Sequence, residues 1–234
     1  KHDMLKQFFG TDDLLPMWVA DMDFKTPDFI LDAIRKRCDH EVLGYTFFSE
    51  SYVCAVTNWL QTHYGITTPW KNMHFIPGIV QGIAFVLQAF TQPGDKILVT
   101  TPVYPPFLNV PHHSGRVFVS SPLHIVDGRF AIDFEDFEEK AKGCKVFILA
   151  NPHNPGGRVW STEELRRFAE ICRRQHVLVI ADEIHADMTF APHKHTSFST
   201  VSDEAYHNSI TFIAPSKTFN MAGVASSSRY GPAP

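Results

Sequence analysis

From residue 73 onward, short apolar runs alternate with stretches of helical periodicity, and proline and glycine punctuate the joins. Met73–Ile76 is short and apolar. Pro77-Gly78 then turns into Ile79–Phe90, which reads as a buried helix. Pro93-Gly94-Asp95 is a turn, and Lys96–Thr100 is a strand with Ile97-Leu98-Val99 at its centre. The stretch from Tyr104 to His113 reads as helical, its start fixed by Pro105 and Pro106. Arg116–Ser120 is a further strand, Ile132–Lys142 a helix and Lys145–Ala150 a continuous apolar strand.

The clearest unit follows. Ser161-Thr162-Glu163-Glu164 is a capping box, and Leu165, Phe168, Ala169 and Cys172 fall on one helix face. Val177–Ala181 and Ile210–Ala214 are strands without polar alternation, so both their faces need cover. Strands of that kind separated by helices predict an α/β fold, a mostly parallel sheet sandwiched by helices. In such sheets ligands bind beyond the carboxyl ends of the strands.

Composition narrows the classes. The chain has 234 residues, 44% hydrophobic and 20% charged, enough for a core without staples. Its net charge of −4 argues against nucleic acid or an anionic membrane as the main partner. No apolar run approaches the roughly 18 residues of a membrane span. No apolar segment follows Lys1-His2-Asp3-Met4 as a signal peptide requires. Cys38, Cys54, Cys144 and Cys172 form no CxxC pair, so a reduced, cytoplasmic chain is the simplest reading. The thirteen histidines include His112-His113 and the group His185, His193 and His195. No HExxH or zinc spacing occurs, so no metal site is expected.

Three strand ends carry chemistry. Lys145–Ala150 is followed by Asn151-Pro152-His153-Asn154-Pro155-Gly156-Gly157. Val177–Ala181 is followed by Asp182-Glu183-Ile184-His185, and Ile210–Ala214 by Pro215-Ser216-Lys217-Thr218-Phe219-Asn220. Taken singly, such an Asn is a turn residue, such an Asp a helix cap and such a Lys a solvated side chain. Together they can surround one ligand. Pyridoxal phosphate wants this trio: a lysine for a Schiff base, a carboxylate for the ring nitrogen, and donors for the phenolate oxygen.

These three motifs resemble those of fold-type I pyridoxal-phosphate enzymes of the class I/II aminotransferase superfamily. Trp18-Val19-Ala20-Asp21-Met22-Asp23-Phe24 and the histidine of Asp-Glu-Ile-His are similar to the cystathionine β-lyase branch, where aminotransferases more often place Tyr at position 185. The resemblance implies roles. Lys217 would hold the cofactor and move the Cα proton. Asp182 would partner the pyridine nitrogen, Asn154 and His185 the phenolate oxygen, and Tyr104 would stack on the ring. Gly78, Ile79 and Val80 would offer backbone N–H groups to the phosphate, joined by Ser216. Gly78 and Gly82 also read as plain turn and packing glycines. Tyr45 resembles a tyrosine that reaches the phosphate of a neighbouring subunit, which implies a homodimer. It reads equally as a core aromatic in Tyr45-Thr46-Phe47-Phe48.

Two positions depart from the pattern of many aminotransferases. Ala214 stands where a hydroxyl precedes the lysine, and Ala225 where a basic phosphate ligand follows it. The resemblance also implies a longer chain, with residues 1–40 an N-terminal segment of the small domain or arm. Residues 41–234 would be the cofactor-binding large domain, cut short of the part that grips the substrate carboxylate. Arg229 is too near the lysine to take that role. The implied reaction is β-lysis of L-cystathionine or related cysteine S-conjugates to a thiol, pyruvate and ammonia. The alternatives are an aminotransferase with the same cofactor residues, a catalytically silent truncated homologue and a ligand-sensing module.

Overall fold

A computed structural model describes residues 1–232. Its elements follow in chain order. Helices α1 (Leu5–Phe9), α2 (Asp28–Cys38) and α3 (Glu50–Tyr64) come first. Then come β1 (Met73–Ile76), α4 (Ile79–Phe90), β2 (Lys96–Thr101), α5 (Pro106–His113), β3 (Val117–Val126) and β4 (Arg129–Ile132). α6 (Phe134–Ala141), β5 (Cys144–Ala150), α7 (Thr162–Arg174), β6 (Leu178–Asp182), α8 (Asp203–His207), β7 (Ser209–Ile213) and β8 (Ser227–Tyr230) complete the chain.

The strands form one sheet in the order β1-β8-β7-β6-β5-β2-β3-β4. β2, β3, β5, β6 and β7 are parallel, and β4 closes one edge antiparallel to β3. At the other edge β8 runs antiparallel to both β7 and β1. Two reversals restore direction, so β1 points the same way as β7. The carboxyl ends of β1, β2, β5, β6 and β7 therefore share one edge of the sheet.

Alternation along the strands covers both faces. Leu98, Phe147, Leu149, Val179 and Ala181 pack with Phe137 of α6 and Leu165 and Phe168 of α7. Their neighbours Ile97, Val99, Val146, Ile148 and Ile180 pack with Ile83 and Leu87 of α4 and Phe107 of α5. The four apolar residues expected on one face of α7 are all buried. The capping box is present: Ser161 Oγ accepts from Glu164 N at 3.2 Å and Glu164 Oε2 accepts from Ser161 N at 2.9 Å.

The helix expected over Ile132–Lys142 starts later. Phe130 and Ile132 belong to β4, which pairs with β3 through a two-residue hairpin, Val126 facing Arg129. Asp127 and Gly128 at the turn have φ of 50° and 73°. An Asp-Gly pair with both φ positive is the turn that matches strand twist. Asp133 then caps α6 by accepting from Glu135 N and Asp136 N. For the same reason the strand expected over Arg116–Ser120 runs on to Val126. The sheet also gains β8, whose polar Ser227-Ser228-Arg229 gives no apolar run to read.

Gly82 of α4 is a packing glycine. A Cβ there would lie 2.7 Å from Ile76 Cδ1 and 2.9 Å from Phe212 Cε1. Alanine gains about 1 kcal/mol of helix propensity, but overpacking costs about 1–3 kcal/mol. Phe212 is 1% exposed and has no room to retreat, so the clash wins. Gly82→Ala is expected to lower stability by about 1–2 kcal/mol, read from urea unfolding midpoints.

Candidate active site

The shared strand edge collects the residues singled out by sequence. Gly78 follows β1, Tyr104 follows β2, Asn154 follows β5, Asp182 ends β6 with His185 just beyond, and Lys217 follows β7. Helix α4 opens at Gly78 with no side-chain cap, which leaves first-turn N–H groups of Ile79 and Val80 available to an anion. Ser216 lies in the lysine turn, where its carbonyl accepts from Met221 N at 2.9 Å.

Two loops are tied together at the centre. Tyr104 N donates to Asn154 O at 3.0 Å. His153 Nε2 donates to Pro102 O at 2.9 Å, and its ring is 2% exposed. Burial holds the His153 pKa below its ordinary value, so the ring is a neutral donor there. Behind Asn154, Arg158 Nη2 donates to both oxygens of Glu164 at 2.7 and 2.6 Å, which fastens this loop to the start of α7. Tyr104 is 39% exposed with its ring edge toward Phe107. Burial, and then the Asp182 charge, push its phenol up.

Asp182 is buried, and Ile184 N donates to its Oδ1 at 3.0 Å. Among the described residues Oδ2 has no hydrogen-bond partner. Burial pushes this carboxyl up to about 7; the Ile184 N–H opposes the rise, Glu183 adds to it and Lys217 opposes it. His185 is pushed down by burial and then by the Lys217 charge. A buried carboxylate with one open oxygen suits a cationic ring N–H, and uncapped helix N–H groups on the same edge suit a phosphate. The residues present fit pyridoxal phosphate.

Tyr45 does not join them. It is fully exposed in the loop before α3, which overturns the core-aromatic reading. Ala214 is buried and Ala225 exposed, so neither brings a polar group to the edge.

Sequence reasoning missed the supports. Asp187, two residues past His185, accepts from Thr218 Oγ1 at 2.6 Å, Trp59 Nε1 at 3.1 Å and the Tyr64 hydroxyl. Buried Glu183 accepts from His195 Nε2 at 3.1 Å, Asn151 Nδ2 at 3.1 Å and Phe198 N at 2.8 Å. Asn220, at φ 50°, clasps the N-terminal motif: it exchanges bonds with the Met22 backbone at 3.0 Å each way and donates to Phe24 O at 2.6 Å. The only sequence signal for that clasp was the co-occurrence of the two motifs. Among the described residues no group of three or more His, Cys, Asp or Glu could hold a metal ion. No helix there is long and apolar enough to cross a membrane.

The Asp182 carboxyl gives a pH signature. Between its ordinary value of 3.8 and about 7, the folded chain holds a proton that the unfolded chain has released. Stability of the cofactor-free chain therefore falls as pH rises through that window. Asp182→Asn is expected to flatten this part of the curve, read from urea midpoints of both chains at a series of pH values.

Comparison with known proteins agrees with this geometry. The chain is 45% identical to cystathionine β-lyase PatB of Bacillus subtilis over 229 residues, 97% of this chain and 59% of that one. Cystalysin from Treponema denticola, whose structure contains a pyridoxal 5′-phosphate cofactor, superposes with a TM-score of 0.94 at 32% identity, over 99% of this chain and 60% of that one. The PLP-bound C-S lyase from Staphylococcus hominis gives a TM-score of 0.90 at 38% identity, over 97% and 58%. The chain thus spans about 60% of the length of these relatives. Residues 13–229 match the family model of aminotransferase class I and II, and the chain belongs to that family.

Proposed function

We propose that this chain carries the cofactor site of a pyridoxal-phosphate-dependent carbon–sulfur β-lyase acting on L-cystathionine or related cysteine S-conjugates. The observation that carries the reading is the placement of Asn154, Asp182, His185 and Lys217 at or just past the carboxyl ends of the neighbouring parallel strands β5, β6 and β7. The lyase branch draws on the 45% identity to a cystathionine β-lyase and on His185 in Asp-Glu-Ile-His.

Bound at this edge, pyridoxal phosphate supplies an electron sink for the substrate's α-carbon. The chain's own residues do the rest. Lys217 Nζ would hold the cofactor and would be the base for the Cα proton. Asp182, with one oxygen left without a protein donor, would hold the ring N–H and favour the cationic ring. Asn154 and His185 donate toward the phenolate oxygen, and a neutral imidazole can do so through one N–H. Tyr104 would pack on the cofactor and keep water from it. The N–H groups of Gly78, Ile79 and Val80, with Ser216, hold the phosphate. With no basic side chain at position 225, backbone donors carry more of that charge. The carbon–sulfur bond breaks with its electron pair leaving on sulfur. With water added, the products are a thiol, pyruvate and ammonia.

The fully exposed Tyr45 supports a homodimer in which this tyrosine reaches the partner's phosphate. Residues 1–40 would form an arm of the small domain and residues 41–234 the large domain, the last two lying outside the described residues. The four free cysteines fit a cytoplasmic setting.

The test is direct. The chain is mixed with pyridoxal phosphate, reduced with borohydride and digested, and the adduct is mapped by mass spectrometry. The expected adduct is on Lys217, and Lys217→Ala abolishes it. L-cystathionine should then give thiol and pyruvate together. A keto acid and pyridoxamine phosphate with no thiol would make the chain an aminotransferase. No adduct at Lys217 would refute the site.

A further inference from the structure

The turn that carries Lys217 is fastened toward the N-terminal motif by Asn220 and toward α3 by Thr218. Thr218 Oγ1 donates to Asp187 Oδ2 at 2.6 Å. The other oxygen of that carboxylate takes the Trp59 indole N–H and the Tyr64 hydroxyl, both from α3. One carboxylate thus joins the lysine turn, α3 and the loop that also carries Asp182 and His185.

Packing of the turn on this side is incomplete. Phe219 meets Trp59 of α3 edge to face at a centroid distance of 5.8 Å, and beside that contact a cavity of about 270 Å³ is lined by Val56, Trp59, Leu60, Pro215 and Phe219 among others. A void withholds part of the steric wall, so directional bonds carry more of the turn's placement. A charged acceptor that is partly buried makes the strongest of these.

The cavity itself names no ligand. Its lining is apolar, and its two carboxylates, Glu183 and Asp187, are already bonded to protein donors. The larger cavity on the side of the β3–β4 hairpin shares Asn154 and His185 with the site described above. The Asp187 bond is what remains, and it bears on chemistry because Lys217 is the next residue to Thr218.

Resting on the cofactor site proposed above, we infer that Asp187 is a positioning residue: through Thr218 it holds the backbone that carries Lys217 in place at the strand-end edge. Asp187 itself does not touch substrate or cofactor. The backbone of the lysine turn moves when the Thr218 bond is lost, and Lys217 moves with it.

The test uses the full chain and four variants. Thr218→Val removes the hydroxyl and keeps the shape, Thr218→Ala removes it without the branch, and Thr218→Ser keeps it. Tyr64→Phe removes a different donor from the same carboxylate. Three quantities are read: hydrogen–deuterium exchange across 215–221 without cofactor, the rate of Lys217 acylation by an amine-selective reagent, and the pyridoxal phosphate dissociation constant from visible absorbance.

Thr218→Val and Thr218→Ala should both speed exchange in the turn, change the acylation rate and weaken cofactor uptake by about tenfold, the worth of a hydrogen bond to a charged group. Thr218→Ser should return all three to wild type. Tyr64→Phe should lower the unfolding midpoint and leave the turn and Lys217 as in wild type. Wild-type exchange and acylation in the Val and Ala variants would overturn the inference. So would Tyr64→Phe reproducing their changes, which would mark a general loosening of α3. If the wild-type chain takes up no cofactor while exchange and acylation still separate Val from Ser, the cofactor reading fails and the positioning role stands.

Discussion

Two adjacent carboxylates at the end of β6 are treated in opposite ways, and the site depends on the difference. Glu183 is buried and satisfied by His195, Asn151, the Phe198 N–H and, at 3.4 Å, the Tyr230 hydroxyl. Those partners come from the loop after β5, the segment 195–198 and β8. A buried charge left short of a partner costs about 3–5 kcal/mol, so the Glu183 cluster locks these strand ends into one arrangement. Asp182 has one backbone donor and one oxygen without a protein partner. Its neighbour supplies the rigidity, and Asp182 keeps the binding capacity.

The same division runs through the rest of the edge. The Asn154 loop is held by His153, by the Tyr104–Asn154 backbone bond and by the Arg158–Glu164 ion pair, none of which uses the Asn154 side chain. The lysine turn is held by Thr218 and Asn220, and neither bond uses the Lys217 side chain. Residues that fix the geometry alternate along the chain with residues left open for chemistry, as side chains on successive positions point to different surroundings. Preorganisation of this kind lets a site bind charge without rearranging.

The central strands and α7 were legible in the sequence because each is decided locally. An unbroken apolar run such as Lys145–Ala150 needs cover on both faces, and Ser161 with Glu164 names its own helix start. The β3–β4 hairpin was missed: Asp127-Gly128 is its turn signal, but the apolar Ile132 read as the beginning of a helix. α3 carries the signals of its kind: the Ser49 cap, Gly65 at its end and Val53, Val56 and Leu60 at helical spacing. β8 was not legible, since Ser227 and Ser228 are buried by partners far away in sequence. Asp182, Asn154 and Lys217 could be read as a set because strand ends converge in a parallel sheet. Asp187, Glu183 and His195 could not, because their meaning lies in contacts across 12 to 128 positions.

The most direct measurement of the account is a crystal structure of the chain grown with pyridoxal phosphate. The account expects density continuous with Lys217 Nζ, a ring nitrogen facing Asp182 Oδ2 and a phosphate at the N-terminus of α4. A cofactor bound elsewhere, or a ring whose nitrogen faces away from Asp182, would contradict it.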